Sequence, residues 1–201
     1  MERKEHWETV FSTKQPHEVS WTQAIPTTSL DLIASCELSK DAEIIDVGGG
    51  DSNLVDHLLA LGYKNISVLD ISSHAIDRAK KRLGEKADLV TWIVSDIVDF
   101  KPTKKYALWH DRAAFHFLTE KSQIQAYQNL INEHVKEYLI IGTFSENGPK
   151  KCSGLDICQY NSTSLNELFQ LNFTPITTFT EDHVTPFETT QNFVFSSFKR
   201  K

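Results

Sequence analysis

The 201-residue chain predicts an α/β fold on a doubly wound, mostly parallel sheet. Short apolar, β-rich runs alternate with stretches whose apolar residues recur at helical spacing. The first such run stops at three glycines, Gly48 to Gly50. The last two runs follow one another with no helix between them, which argues for an antiparallel pair closing the sheet. Strand–helix–strand units of this length make right-handed crossovers on parallel strands.

Each element has its own signal. Glu43-Ile44-Ile45-Asp46-Val47 is a short apolar run, and Leu54, Val55, Leu58, Leu59 and Leu61 then fall at helical spacing within 53–61. Residues 65–70 (NISVLD) read as a second strand. In 73–83, Ala75, Ile76, Ala79 and Leu83 share one face, Arg78, Lys80, Lys81 and Arg82 the other, and Gly84 stands at the C-cap. Residues 89–94 give a third strand, 106–110 a fourth and 138–143 a fifth, with a helix over 122–134. A short helix over 164–170 precedes strands at 173–181 and 191–199, joined by a loop that carries His183 and Pro186. Phe193, Phe195 and, less regularly, Phe198 suggest one packed face.

Size and composition bound the rest. With 40% hydrophobic and 24% charged residues, the chain reads as a single globular domain, 1–201, long enough to bury a substantial core. Against 27 acidic residues stand 21 basic ones, a net charge of −6, which gives no support to general binding of duplex nucleic acid. Cys36, Cys152 and Cys158 form neither a disulfide framework nor a zinc spacing, so reduced thiols and no metal are expected. The charged start MERKEHWETVF lacks a signal-peptide core, and no apolar run approaches the length of a membrane span. A cytoplasmic protein with no membrane partner is the expectation, its oligomeric state left open.

The glycine turn carries the chemistry. Asp46-Val47-Gly48-Gly49-Gly50-Asp51-Ser52 joins the first strand to the first crossover helix, where bare backbone lets a ligand lie at a helix N-terminus. The dinucleotide fingerprint fails because its third glycine would fall at Asn53, and no GK[ST] follows for a phosphate loop. Asp70 ends the second strand, 24 residues after Asp46, and Asp96 follows the third. Either acid alone reads equally well as a helix N-cap. Three acids in register at the carboxyl ends of successive parallel strands fall on a ligand-binding edge.

The turn resembles the first motif of class I S-adenosylmethionine-dependent methyltransferases, acidic-x-Gly-x-Gly-x-Gly. Asp46, Gly48 and Gly50 match it, and Ser52 replaces the third glycine. The resemblance implies a Rossmann-like, seven-stranded sheet with an antiparallel C-terminal strand, and S-adenosylmethionine as cofactor. It also implies cofactor-binding roles for Trp21, Asp46, Gly48, Gly49, Gly50, Ser52, Asp70, Ile71, Asp96, Ile97 and His110. Asp70 would take the ribose diol, Asp96 the adenine amino group, and Ile97 would pack on the ring. Further features, Asp111-Arg112-x-Ala, His6-Trp7 and Ser20-Trp21-Thr22-Gln23, resemble the thiopurine and thiol S-methyltransferases. More broadly, HW, SW-Q, DVGGG-S, WHDRA-FHFL, GP-CSGL and H-TP---Q-F look like a group of bacterial methyltransferases of this class, over residues 6–199. Residues 1–30 would then cover the cofactor on a 31–201 core. Trp7 and Trp21 read equally well as anchors of the N-terminal segment.

On the acceptor side stand His110, Asp111 and His116 as catalytic candidates and Arg112, Cys152 and His183 as substrate contacts. An imidazole ordinarily titrates near working pH, so His110 or His116 would suit a base. Against this, Asp111 and Arg112 read as a structural ion pair, His116 as a core histidine, Cys152 as an idle thiol and His183 as a cap on the closing turn. The function expected is methyl transfer to a small-molecule nucleophile, a thiol among them. Protein lysine N-methylation is the alternative, although Arg112 departs from the Asp-Lys-Gly of such enzymes. A non-catalytic cofactor-binding subunit is the third reading, and a Rossmann oxidoreductase fits poorly.

Overall fold

The computed structural model describes residues 3–201. The chain runs α1 (Arg3–Thr13), α2 (Thr27–Ser35), β1 (Glu43–Val47), α3 (Leu54–Ala60), β2 (Asn65–Asp70), α4 (Ser73–Leu83), β3 (Val90–Val94), β4 (Tyr106–Arg112), α5 (Lys121–His134) and β5 (Val135–Phe144). A short hairpin, β6 (Lys151–Cys152) with β7 (Leu155–Asp156), precedes α6 (Ser162–Phe169), β8 (Phe173–Val184) and β9 (Thr190–Arg200). Seven strands form one sheet in the order β3-β2-β1-β4-β5-β9-β8. The strands β1 to β5 pair in parallel, and β9 runs antiparallel to both β5 and β8. This is the expected doubly wound architecture.

Local chemistry accounts for the elements near the site. Gly48 takes φ +70°, which turns the chain sharply after β1. Ser72 caps α4, its Oγ accepting from the Ala75 N–H, and Gly84 closes that helix with φ +58°. The apolar face of α4 buries Ala75, Ile76 and Ala79.

Each face of the sheet has its own core. On one, Leu32 and Ile33 of α2 and Leu54, Val55 and Leu58 of α3 pack with Ile44, Val68, Leu108, Ile140, Phe193 and Phe195. On the other, Tyr127 and Ile131 of α5 and Leu165 and Phe169 of α6 pack with Ile45, Trp109, Leu139, Ile141 and Phe198. Phe198 therefore does not share a face with Phe193 and Phe195, because side chains alternate along a strand and its number has the other parity.

Several ends differ from expectation. The fourth strand continues to Arg112, the fifth begins at Val135, and β8 continues through His183 to Val184. His183 is thus paired strand, opposite Gln191, rather than part of a closing loop.

Candidate functional site

The carboxyl ends of β1, β2, β3 and β4 meet at one cavity. Trp21, Asp46, Gly48, Gly49, Ser52, Asp70, Ile71, Asp96, Ile97, His110, Arg112 and Cys152 all line it. Three acids read from strand ends 20 or more residues apart are therefore brought together, as parallel register requires.

Each glycine of the turn makes room for an acid or a neighbour. A Cβ on Gly50 would lie 2.6 Å from Asp70 Oδ2 and 2.6 Å from Ala75 Cβ. One on Gly49 would collide with the Asp46 carboxylate, and one on Gly48 would meet Ala114 Cβ at 2.7 Å. Gly50 does not line the cavity; it acts on Asp70, whose Oδ2 accepts from the Gly50 N–H at 3.0 Å. The Ser72 N–H reaches Asp70 Oδ1 at 2.8 Å. Burial pushes the Asp70 carboxyl up to about 6, with both N–H donors opposing it. Each carboxylate oxygen keeps a second lone-pair site for a ligand hydroxyl.

Asp46 and His110 are register partners on adjacent strands, and their side chains meet. His110 Nδ1 lies 2.7 Å from Asp46 Oδ1, and His110 Nε2 lies 2.9 Å from Ser29 Oγ on α2. Asp46 Oδ2 is buried with no hydrogen-bond partner.

Arg112 follows on the same face. Its Nη1 donates to the Trp21 carbonyl at 3.1 Å, its guanidinium stacks over Phe193 at 4.9 Å, and its buried Nε has no partner. Burial pulls its pKa down to about 10 against the charges of Glu181 and Asp46.

Asp111 does not face the cavity. It points to the opposite side of β4, where Tyr127 donates to Oδ2 at 2.7 Å and the N–H groups of Ala114 and Phe115 donate to Oδ1. It forms no ion pair with Arg112, because neighbours on a strand project to opposite faces. His116 also lies outside the cavity, fully buried and stacked on Phe144 at 4.5 Å. Burial, with the Arg112 charge second, pulls its pKa down to about 3, so it stays neutral. His183 is hydrogen-bonded through Nε2 to the Ser20 carbonyl at 2.7 Å and lies beside a separate shallow depression. The Cys152 thiol, pushed up to about 12 by burial, faces the cavity as an unreactive group.

The N-terminal segment roofs the cavity. Trp7, Phe11, Trp21 and Phe117 form an aromatic cluster, with Trp7 5.6 Å from Trp21 and 5.0 Å from Phe117. Arg3 reaches Asp96 Oδ2 at 2.6 Å. Glu8 accepts from Ser72 Oγ, the Ser73 and His74 N–H groups and the His74 ring. No local sequence pattern marks Ser29, Arg3 or Glu8, because their partners lie 64 to 93 positions away.

Residues 44–136, less than half of the chain, match the model of the methyltransferase-domain family. Seen whole, the chain superposes on a SAM-dependent methyltransferase of Anabaena variabilis with a TM-score of 0.76 at 11% identity, covering 100% of this chain and 96% of that one. The fold is a methyltransferase fold. A second solved structure on this fold is the Burkholderia thailandensis 1,6-didemethyltoxoflavin-N1-methyltransferase, with bound 1,6-didemethyltoxoflavin and S-adenosylhomocysteine. It gives a TM-score of 0.68 at 14% identity over 98% of this chain and 84% of that one. Among curated proteins, malonyl-[acyl-carrier protein] O-methyltransferase 1 of Ilyobacter polytropus is 30% identical over 86 residues, 42% of this chain. That match spans only 32% of the curated relative's length. In this methyltransferase fold, among the described residues, no helix is long and apolar enough to cross a membrane.

Proposed function

We propose that this chain transfers a methyl group from S-adenosylmethionine to a small-molecule nucleophile, with thiols among the acceptors to be tried first. The observation that carries the reading is the convergence of Asp46, Asp70 and Asp96 on one cavity beside the glycine turn. The residues fit the cofactor. The orphaned Asp46 Oδ2 suits its α-ammonium group, Asp70 its ribose diol and Asp96 its adenine amino group. Gly48, Gly49 and Ser52 supply the close backbone wall, Gly50 sets Asp70, and Trp21, Ile71 and Ile97 give apolar contact. The three acids favour a cationic ligand.

When bound, this cofactor supplies an activated methyl on a sulfonium centre, and the protein supplies geometry. Arg112 lies on the same wall with an unpaired N–H, which suits an acceptor carrying an anionic group. The aromatic roof from Trp7, Phe11 and Trp21 supports a small acceptor over a protein surface, since it encloses the site. We read residues 1–201 as a single domain, with 1–30 as cover and 31–201 as core, working in the cytoplasm.

Isothermal calorimetry with S-adenosylhomocysteine tests the cofactor, and no binding to the folded wild type ends this reading. A labelled-methyl screen over small thiols, amines and carboxylates, beside a host proteome, tests the acceptor. Label on protein lysine alone would replace the small-molecule reading with protein methylation, and binding without transfer would favour a non-catalytic subunit.

A further inference from the structure

Ser29, His110 and Asp46 form a buried hydrogen-bonded chain in the cavity wall. Their exposures are 1%, 2% and 2%, and all three line the cavity. A carboxylate only accepts, so His110 Nδ1 carries a proton toward Asp46 Oδ1 at 2.7 Å. With the ring neutral, Nε2 keeps its lone pair, and the Ser29 hydroxyl, 2.9 Å away, is placed to donate to it. This ordering fixes both the ring's tautomer and the direction of the serine proton. His110 therefore has no free nitrogen for an acceptor, and any proton it takes arrives through Ser29.

We propose that Ser29 is a catalytic residue: its hydroxyl is the cavity-facing end of a proton relay, Ser29 to His110 to Asp46, that deprotonates a protic methyl acceptor. The inference rests on the methyl-transfer reading above and narrows its acceptors to nucleophiles that hold a proton at working pH, such as an alcohol or phenol. The acceptor forms its new bond to the methyl carbon as the carbon–sulfur bond breaks, the sulfur keeping that electron pair. The acceptor's proton passes to Ser29 Oγ while the Ser29 proton passes to His110 Nε2, leaving an imidazolium beside Asp46. Solvent later takes that proton, and the serine is unchanged. Asp46 serves two ends through its two oxygens, with Oδ1 on the ring and Oδ2 left for the cofactor.

The test is an exchange of oxygen for sulfur. In the Ser29→Cys variant the same ring would draw the thiol proton, so iodoacetamide at neutral pH should alkylate that position at least about 10-fold faster than in the Ser29→Cys/His110→Asn double variant. Access to the cavity is shared, so the comparison isolates the ring, and peptide mass spectrometry separates this thiol from Cys36, Cys152 and Cys158. Equal rates overturn the relay. Should the double variant not fold, Ser29→Ala decides. It should bind S-adenosylhomocysteine within about twofold of wild type and lose about 100-fold in transfer to phenols, while thiophenols already ionised lose little. A uniform loss across that series, or a tenfold loss of S-adenosylhomocysteine affinity, makes Ser29 a structural or cofactor contact and overturns the relay. A wild type that binds no S-adenosylhomocysteine sinks the methyltransferase reading itself, an outcome separate from the alkylation result.

Discussion

Arg3 Nη2 sits 2.6 Å from Asp96 Oδ2, so the first helix of the chain is tied to the loop that follows the third strand. The contact crosses 93 residues and closes one side of the cavity over the acid proposed to meet adenine. Both side chains keep about a fifth of their surface in water, 22% and 20%, which limits such a pair to about 1 kcal/mol and leaves it open to salt screening. Arg3→Ala is expected to speed release of S-adenosylhomocysteine up to about fivefold by stopped-flow tryptophan fluorescence, with the gap closing at high salt. Release that is unchanged at every ionic strength would show that α1 is held without this pair.

Glu8 does a second job in the same helix. Its carboxylate supplements the Ser72 cap of α4, accepting from the Ser72 and Ser73 hydroxyls, the Ser73 and His74 N–H groups and the His74 ring. Burial pushes the Glu8 carboxyl up, but the hydrogen bonds from His74, Ser72 and Ser73 outweigh it and hold it well below the usual carboxylate range. A depressed folded pKa stabilises above the unfolded value, near 4.3, and that stability fades as acid protonates the folded carboxylate. Glu8→Gln should therefore cost about 1–2 kcal/mol at neutral pH by urea melts, and the difference from wild type should shrink steadily below about pH 4. A difference that stays constant from neutral to acid pH would mean the charge contributes nothing.

What the sequence discloses and what it hides follow from distance along the chain. Asp46, Asp70 and Asp96 are legible because each lies at or just past the carboxyl end of its own apolar run, and parallel register then aligns the three ends. Facing direction in β4 is not legible: Tyr106 to Asp111 are buried on both faces, so no polar–apolar alternation marks which side chains meet the cavity. His110 and Asp111 thus look alike in sequence and lie on opposite sides of the sheet. Ser29 is hidden for another reason. Thr27-Thr28-Ser29 reads as ordinary helix-start chemistry, and its partner His110 is 81 residues on.

Asp111 is expected to behave as a structural residue. Burial pushes its carboxyl up to about 6, while Tyr127, Phe115 and Ala114 oppose with hydrogen bonds. A raised folded pKa means the native state binds the proton first, so this group favours the fold increasingly as pH falls from about 6 toward 4. Asp111→Ala would leave the Tyr127 hydroxyl and two N–H groups without their acceptor, a loss of about 2–4 kcal/mol in denaturant melts. The folded variant should still bind S-adenosylhomocysteine within about threefold of wild type. Loss of that affinity without loss of stability would return Asp111 to the site.

Gly50 is where cofactor geometry and folding can be separated. An added methyl would stand 2.6 Å from Asp70 Oδ2 and 2.6 Å from Ala75 Cβ, where real Cβ contacts do not occur. Ala75 is fully buried on α4, and Asp70 is held by the Ser72 N–H from below, so neither has slack to give. Relief comes by pushing the glycine turn or the carboxylate outward, which displaces the atoms proposed to meet the ribose. Overpacking of this kind costs about 1–3 kcal/mol, and if most of it falls on the bound geometry the affinity drops by about 10- to 100-fold. Gly50→Ala should thus remain folded, with a Tm lowered by a few degrees, and show that loss in calorimetry with S-adenosylhomocysteine. Gly62→Ala is the matched control: its Cβ meets nothing within 4 Å, but φ +86° strains the backbone, so it should lower Tm without weakening the cofactor. Equal affinity in both variants would detach the glycine turn from cofactor binding.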